Sequence, residues 1–441
     1  MDPVQFARAL LHVQYDFDRF RLSLERMEAH DFPSDSANDR IGFLKDELGE
    51  TKTRIAEIEA DYADDPSGAA DRLVSECRKL SQNRQQLEIL DRARSDEVPW
   101  SLVPSIEKLA KEILPDHKLL LTSVPQMNYM VRWAPSGSNR HITVFLPALH
   151  RGNAFLHILI GHELFHPLVE GYVLSEQAKV DTFIRDECKK ILPASPQPLF
   201  DDRLDRIAAF AINAWRQGLK EFMCDTGACT LFGPAGYWSL SSFAATRELD
   251  VEPSESSQFY PSWRLRLKTA FEYLMKHEGL ASELSRLSKL LKDADLGNFA
   301  DSLDKTFEKD QQFTENSVIN FTNPVVKIAY EAIDQALPDA MDKVKSLGGS
   351  MSANWSSALE DVPALIKRIE LLVPPCELIE PGKQKSRPAT FSGILLTGWV
   401  ARIEAENAGL DLGRYRELCR LTLKAIEDAD LKKDFMEWRS S

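Results

Sequence analysis

The sequence predicts a mainly α-helical protein with a small β-sheet, and three observations support this fold class. Long stretches of the chain repeat apolar residues at intervals of three or four, which is the period of an amphipathic helix. Two short strand-like runs, at 129–134 and 141–147, flank the turn-rich segment PSGSNR and predict a β-hairpin. With 441 residues, the chain is long enough to bury an ample core in two or three domains.

The N-terminal region is predicted to be helical throughout. Residues 3–30 form an amphipathic pattern, and two segments rich in charged residues and leucine follow at 38–63 and 69–96. Apolar positions three or four residues apart within these two segments, with DDPSG between them, predict an antiparallel helix pair. Such a pair can be a coiled-coil arm that binds a partner or a second copy of the chain. The alternative is an ordinary bundle packed on its own domain.

A domain boundary is predicted near Val98. It separates the N-terminal helical or coiled-coil arm, residues 1–97, from a central domain, residues 98–275, which contains a short helix, the hairpin and two helices with candidate metal ligands. Helical patterns then recur almost to the C-terminus, and no fixed-period repeat is present. We therefore predict a C-terminal helical domain, residues 276–441.

Composition and charge exclude several classes of function. The formal charge of −14, from 68 acidic against 54 basic residues, argues against a general nucleic-acid surface. No run is as long and apolar as a transmembrane helix. The six cysteines form no CxxC pair, and the N-terminus has no apolar signal core. These features predict a cytoplasmic protein that binds neither nucleic acid nor membranes.

The segment LHILIGHELFHP contains His162, Glu163 and His166 in the pattern HExxH. Residues four apart in an α-helix lie on one face, so both imidazoles can reach one metal ion while Glu163 borders the site. The surrounding residues are apolar, so the two histidines need partners that offset their lost hydration. A metal ion is one such partner, and backbone carbonyls are the alternative. Pro167 lacks an N–H group and disfavours α geometry before it, so we expect the helix to kink or end there.

A second helix is predicted from Arg203 onward, and it carries Glu221 and Asp225 four residues apart. A catalytic zinc site needs a third protein ligand beside the two histidines, and this helix is the next place to find one. Cys224, Glu170 and Glu187 could also serve as the third ligand. For Cys224, packing as a small apolar side chain is the simpler role.

HExxH followed by a separate helix with ExxxD in an apolar setting resembles the gluzincin group of zinc metallopeptidases over about residues 132–236. The resemblance implies an α+β, zincin-like catalytic domain flanked by helical regions. It implies that Asp225 hydrogen-bonds the second ring nitrogen of a ligating histidine and fixes its tautomer. In position, the run 141–147 resembles the edge strand that pairs with an extended peptide substrate. The residues implied to bind Zn²⁺ are His162, His166 and Glu221.

The spacing between the two motifs departs from the family pattern. The 54 residues between His166 and Glu221 exceed the spacing in the best-known gluzincins. We therefore expect an insertion of about Val169 to Asp202. It is helix-like from Ser175, ends in the proline-rich segment PASPQP and is expected to form a surface excursion.

The expected reaction is amide hydrolysis without a covalent intermediate. Zinc activates a water molecule and polarises the scissile carbonyl, while Glu163 takes the water proton and delivers it to the leaving amine. Tyr237 and Tyr260 are candidates for stabilising the tetrahedral intermediate because they are near in sequence, although packing is the simpler role. His157 lies about 140° round the helix from His162 and cannot share its face. For His157 and His150 we expect capping or solvent contact.

The first hypothesis is therefore a cytoplasmic zinc metallopeptidase with a protein or peptide substrate. Its rival is a helical protein-interaction scaffold with a structural or vestigial zinc site, which binds a partner or itself through the N-terminal helices. A zinc-dependent hydrolase of a non-peptide amide is a third hypothesis. Glu163 favours an enzyme, because a structural site has no use for a general base beside its ligands.

Overall fold

The computed structural model describes residues 3–30, 32, 35–94, 100–124, 128–133, 140–192, 199–348, 352–379 and 386–440. These residues form two compact units, one of residues 1–107 with 116–151 and one of residues 108–115 with 152–441. The predicted boundary near Val98 lies outside the described residues. The units do not coincide with the three predicted domains, because the sheet groups with the N-terminal helices and the C-terminal helices group with the candidate metal helices.

Three long helices make up most of the first unit, namely α1 (Pro3–Glu28), α2 (Asp35–Asp61) and α3 (Pro66–Ala93). The helix α3 begins where the sequence offers both an N-cap and a proline. The Asp65 carboxylate accepts a hydrogen bond from the Gly68 N–H at 2.9 Å, and Pro66 stands in the first turn. Apolar side chains of all three helices share one core with Leu120 of the sheet. The pair α2–α3 is thus part of a bundle and does not project as a free arm.

The sheet of the first unit has three strands, β1 (His117–Val124), β2 (Met130–Trp133) and β3 (Arg140–Pro147). The order is β1-β3-β2, with β1 parallel and β2 antiparallel to β3. The predicted hairpin is confirmed by the β2–β3 pairing. Its turn, in the PSGSNR segment, falls largely outside the described residues.

The prediction that 141–147 is an edge strand is wrong. Residues 142–145 of β3 pair with β1 on one side and with β2 on the other, so β3 is the central strand. The sequence analysis assigned no element to β1, whose last six residues are all buried. Such a strand shows no alternation of apolar and polar residues, which is the usual signal of a strand. Among the described strands, β1 and β2 are the outer strands of this sheet.

The second unit is almost entirely helical. A two-stranded antiparallel sheet, β4 (Glu377–Ile379) and β5 (Ser386–Pro388), is its β-structure within the described residues. In the chain, α4 (Val103–Ile113) precedes β1. The other helices are α5 (Ile160–Ile191), α6 (Leu199–Phe232), α7 (Pro234–Ala244), α8 (Trp263–His277), α9 (Leu280–Asp293), α10 (Gly297–Glu315), α11 (Pro324–Gly348), α12 (Ser352–Ser357), α13 (Val362–Glu370), α14 (Phe391–Ala408) and α15 (Leu412–Ser440). The predicted fold class, mainly α with a small sheet, is confirmed.

Two long antiparallel helices, α5 and α6, dominate this unit, and they correct two predictions. Pro167 does not end the first helix, because α5 continues without a break to Ile191. The proline stands in the second turn, where the missing N–H leaves only the Glu163 carbonyl without its helical donor. The predicted insertion is not a separate excursion either, because residues 169–191 lengthen α5 and residues 199–202 begin α6. The segment PASPQP lies outside the described residues.

Glycines let α5 and α6 approach closely near their candidate metal ligands. A Cβ atom on Gly227 would lie 2.3 Å from the Phe165 ring, and one on Gly161 would lie 2.8 Å from the Phe232 ring. Both distances are too short for a real contact, so a side chain at either position would separate the helices. The two aromatic rings instead fill the space over the glycines and fix the register of the pair.

None of the described helices combines the length and the apolar character that crossing a bilayer requires.

Candidate metal centre

The first two turns of α5 face the middle of α6 and bring five predicted site residues together. His162 and Glu163 stand in the first turn of α5 and His166 in the second, while Glu221 and Asp225 come from α6. Each of these residues is at most 9 % exposed. Buried polar groups of this kind are stable only when they have partners, so their contacts define the chemistry of the site.

Both imidazoles direct Nε2 towards Glu221. The Nε2 atom of His162 lies 3.4 Å from Glu221 Oε2, and the Nε2 atom of His166 lies 4.0 Å from Glu221 Oε1. Donor atoms bound tetrahedrally to one zinc ion at about 2.0–2.1 Å would be roughly 3.3 Å apart. The contact of His162 is close to this spacing and that of His166 is longer, and each imidazole faces a different oxygen of Glu221.

Asp225 contacts the other nitrogen of His162. The distance from His162 Nδ1 to Asp225 Oδ1 is 2.8 Å, which is a short, buried hydrogen bond. When His162 is neutral with its proton on Nδ1, the Nε2 atom on the Glu221 side offers a lone pair. Asp225 is therefore placed to fix the tautomer of His162, which is the arrangement that the ExxxD motif implied.

Arg266 of α8 completes the network, and the sequence analysis missed it. Its guanidinium group donates to both carboxylate oxygens of Asp225 at 2.7 Å, and one nitrogen lies 3.2 Å from Glu221 Oε2. The same group stacks over the Trp263 ring at 4.2 Å. Ser262 caps α8 by accepting from the Leu265 N–H. The sequence contained an indication that Arg266 is buried. It stands four residues before Ala270, on the face of α8 that packs against the rest of the unit.

Two further polar residues at Glu221 were also missed. Gln217, one turn earlier on α6, donates from Nε2 to Glu221 Oε1 at 2.8 Å. The Tyr330 hydroxyl of α11 is buried without a hydrogen-bond partner among the described residues. It faces Gly218, where a Cβ atom would lie 3.3 Å from it. Neither residue belongs to a recognisable motif, so only the packing of α11 on α6 could reveal them.

Cys224 offers an alternative third ligand. His162, His166 and Cys224 form a buried cluster whose donor atoms all lie within 4.8 Å of one another, and this cluster can hold a metal ion. Burial and the negative charges of Glu221 and Asp225 raise the pKa of the Cys224 thiol well above its ordinary value. A metal ligand must be deprotonated, and a thiol in these surroundings resists that more than a carboxylate does.

Glu221 and Asp225 are ionised in the metal-free cluster. Burial opposes ionisation of Glu221 most strongly, but the positive charge of Arg266 and the contacts with His162 and His166 together hold its pKa below the usual range. Burial likewise opposes ionisation of Asp225, and Arg266 again lowers the pKa. Burial also disfavours protonated His162, yet its bonds to the two carboxylates raise its pKa to about 10. For His166, burial outweighs the negative charge of Glu221 and lowers the pKa to about 3.

Glu163 differs from the other two carboxylates. Its Oε2 atom lies 3.9 Å from His166 Nε2, and the positive charges of His162 and Arg266 offset only part of its burial. Burial raises the pKa of Glu163 to about 7, partly offset by the positive charge of His162. The site thus contains one carboxyl group that exchanges its proton near neutral pH beside two that stay ionised. Such a division is typical of a site with separate proton-transfer and binding groups.

Tyr260 lies near the cluster and is 42 % exposed. Partial burial raises the pKa of its hydroxyl to about 12, with contributions from the negative charges of Glu221 and Glu163. The two residues before it, Gln258 and Phe259, have left-handed backbones with φ of 53° and 61°. Two such residues in succession are uncommon outside glycine, and they fix the direction in which the chain presents Tyr260.

Tyr237, the other tyrosine candidate, belongs to a different group of side chains. Its hydroxyl donates to Asp310 Oδ1 at 3.5 Å, and its ring packs on Phe271 at 5.3 Å. Burial and the charge of Asp310 raise its pKa well above the ordinary value, and no residue of the metal cluster contributes. The structure therefore gives Tyr237 a packing role.

The remaining candidates lie apart from the cluster. Glu170 faces Lys220 at 4.0 Å, and Glu187 accepts a hydrogen bond from Lys190 one turn further along α5. Because Glu187 is 21 residues beyond His166, it lies about 30 Å away along the helix. His157 is not on α5 but in the 3₁₀ turn before it, and it is buried instead of solvent-exposed. His150 contacts the Tyr129 ring at 5.9 Å.

Comparisons with known proteins do not assign a function to this site. No protein-family model, no curated protein and no solved structure matches the chain.

Proposed function

We propose that this chain is a zinc-dependent peptidase of the gluzincin type. The observation that supports it best is the convergence of His162, His166 and Glu221 through their nitrogen and carboxylate donors, with Asp225 on the far nitrogen of His162. Two imidazoles and one carboxylate are a common catalytic zinc set, and they leave a position open for water. A protein or peptide is the proposed substrate.

Glu221 is the better third ligand of the two that the cluster offers. Both of its oxygens face imidazole nitrogens, and it is already anionic beside Arg266. Cys224 would have to lose a proton next to two carboxylates. We therefore assign Cys224 to packing, and its replacement provides the control for the ligand assignment.

The protein residues divide the hydrolytic work among them. When bound, zinc supplies Lewis acidity that activates water and polarises a carbonyl. Glu163, beside the ligands but outside the Arg266 network, takes a proton from water and delivers it to the leaving amine. Tyr260 is the partly exposed hydroxyl near the cluster, so it is the candidate donor to the oxygen of the tetrahedral intermediate. Arg266 and Asp225 position the ligands.

Replacing the general base tests this function. Zinc-loaded Glu163→Gln should keep its fold and its metal while peptide cleavage falls by about 10²–10⁴-fold, because only proton transfer is lost. Cleavage of a peptide library, followed by mass spectrometry, measures the change. Glu176→Gln is a matched control, since Glu176 lies on the same helix and bonds to Lys179. Wild-type turnover in Glu163→Gln would contradict the proposal.

A structural role for the cluster is the second candidate. His162 and Arg266 pair with Glu221 and Asp225, so the buried charges already balance within one network that links α5, α6 and α8. Such a network can specify packing without catalysis. This alternative predicts that the zinc-loaded wild type cleaves no member of the library. It also predicts that cells carrying Glu163→Gln behave like cells carrying the wild type.

A further inference from the structure

The helix α1 has two apolar faces, and its own bundle uses one of them. The face that packs into the core of the first unit consists of Phe6, Leu10, Val13, Phe20 and Leu24. A second set of apolar side chains is turned to solvent, with exposed fractions of 62 % for Val4, 65 % for Leu11, 60 % for Tyr15 and 42 % for Leu22. A surface helix normally carries polar residues on the face away from its core.

The exposed apolar residues follow the spacing of a coiled-coil seam. Together with the exposed residues Arg8 and Asp18, they occupy positions 4, 8, 11, 15, 18 and 22, which are separated alternately by four and three residues. This is the heptad a/d pattern, in which every member faces a partner helix. The buried residues at 6, 13 and 20 are then at the heptad position opposite the seam. The pattern therefore predicts that a second helix packs on this outer face of α1.

The seam is complementary to itself when reversed. The positions pair symmetrically about residue 13, since 4 + 22, 8 + 18 and 11 + 15 all equal 26. In an antiparallel pair of α1 helices, Val4 meets the partner's Leu22 and Leu11 meets the partner's Tyr15. Arg8 meets the partner's Asp18, so each end of the seam gains an ion pair. A parallel pair would place Arg8 against a second arginine and Asp18 against a second aspartate.

We propose that the chain forms a two-fold symmetric homodimer through antiparallel pairing of α1. A two-fold interface uses the same surface on both copies, which requires the self-complementarity that this helix has. Among the described residues, the Asp18 carboxylate lies 3.6 Å from Arg21, which pairs more closely with Glu25 at 2.7 Å, so Asp18 can pair with an arginine of a second copy. Four apolar side chains per copy form a small interface, for which we expect a dissociation constant in about the micromolar range.

Sedimentation of the full-length chain over a range of concentrations tests the dimer. The wild type should pass from monomer to dimer, and Leu11→Glu should weaken association by more than about a hundredfold. Leu174→Glu is the control, because Leu174 is an exposed leucine on α5 and should leave the equilibrium unchanged. Circular dichroism verifies that each variant keeps its helical content. A wild type that stays monomeric at all concentrations, or a dimer that Leu11→Glu leaves intact, overturns the proposal.

Charge exchange tests the antiparallel register. Arg8→Asp alone and Asp18→Arg alone each place like charges opposite one another, so both should be largely monomeric. The double variant Arg8→Asp/Asp18→Arg restores both ion pairs and should dimerise like wild type. A mixture of the two single variants should form heterodimers, since one then has aspartate and the other arginine at both positions. Failure of both the double variant and the mixture to associate overturns the register and with it the proposed dimer.

Discussion

The buried carboxylates Glu221 and Asp225 and the half-buried carboxylate Asp310 of the second unit differ in what surrounds them. Glu221 and Asp225 bond to the guanidinium of Arg266 and to His162, whereas Asp310 accepts hydrogen bonds from the neutral donors of Trp238, at 3.2 Å, and Tyr237. The pKa values diverge accordingly. Arg266 keeps the first two below their usual range, while burial raises the pKa of Asp310 to about 7.

The difference shows what a buried cation contributes. Burial by itself disfavours a carboxylate, and neutral donors compensate only part of that loss at Asp310. In the candidate metal centre Arg266 and His162 together reverse the balance, so that Glu221 and Asp225 both stay ionised although they are buried. Glu163 resembles Asp310 in that burial raises its pKa to about 7. The metal centre thus combines both kinds of environment within two helical turns.

The largest expected effect comes from removing ligands. His162→Ala and Glu221→Ala should each weaken zinc binding by more than about a hundredfold, because a direct ligand contributes more than the groups that orient it. Cys224→Ala should bind as wild type does. Metal content and chelator competition measure this. Full zinc retention in Glu221→Ala, together with loss in Cys224→Ala, would transfer the third ligand to the thiolate.

Removing the cation should be nearly as severe in the metal-free protein. Arg266→Leu leaves Glu221 and Asp225 as buried anions without their main partner, which we expect to lower the free energy of unfolding by about 3–5 kcal/mol. Arg264→Leu is the control, since Arg264 pairs with the exposed Asp250 and should lose about 0–1 kcal/mol. Denaturant titration measures both. Equal losses of unfolding free energy in the two variants would show that the buried ion pairs of Arg266 contribute no more than the exposed ion pair of Arg264.

A smaller effect is expected from Asp225→Asn. The amide is a weaker acceptor for His162 Nδ1, so the variant should keep its zinc but bind it about ten- to a hundredfold less tightly. Competition with a chelator gives the affinity. Unchanged affinity would mean that the 2.8 Å contact does not support the bound metal.

The most gradual effect concerns Asp310. Its pKa rises on folding from an ordinary 3.8 to about 7, so the folded state favours the protonated acid. The associated stability is present below about pH 4 and is lost as the pH rises towards 7, by up to about 1.4 kcal/mol per pH unit. Asp310→Asn should flatten this dependence, whereas Asp301→Asn, at an exposed position on the same helix, should not. An identical pH dependence in Asp310→Asn and wild type would contradict the assignment.

Local patterns in the sequence were sufficient for most helices and for the two metal motifs. The apolar period predicted α1, α2 and α3, and HExxH with ExxxD selected the five residues that the structure brings together on α5 and α6. These features depend on residues within one or two helical turns of each other. Backbone geometry alone then relates them, since residues four apart share a face.

Contacts between distant parts of the chain were decided only by the tertiary structure. Arg266 donates to Asp225, which stands 41 residues earlier in the sequence, and β3 is central because β1 pairs with it. The left-handed residues before Tyr260 set its direction, whereas the Tyr237 hydroxyl donates to Asp310. The continuation of α5 through Pro167 has the same cause, because packing along α6 stabilises the helix beyond what its local preference allows. Side-chain partners depend on which faces of which helices meet, and no local pattern specifies that.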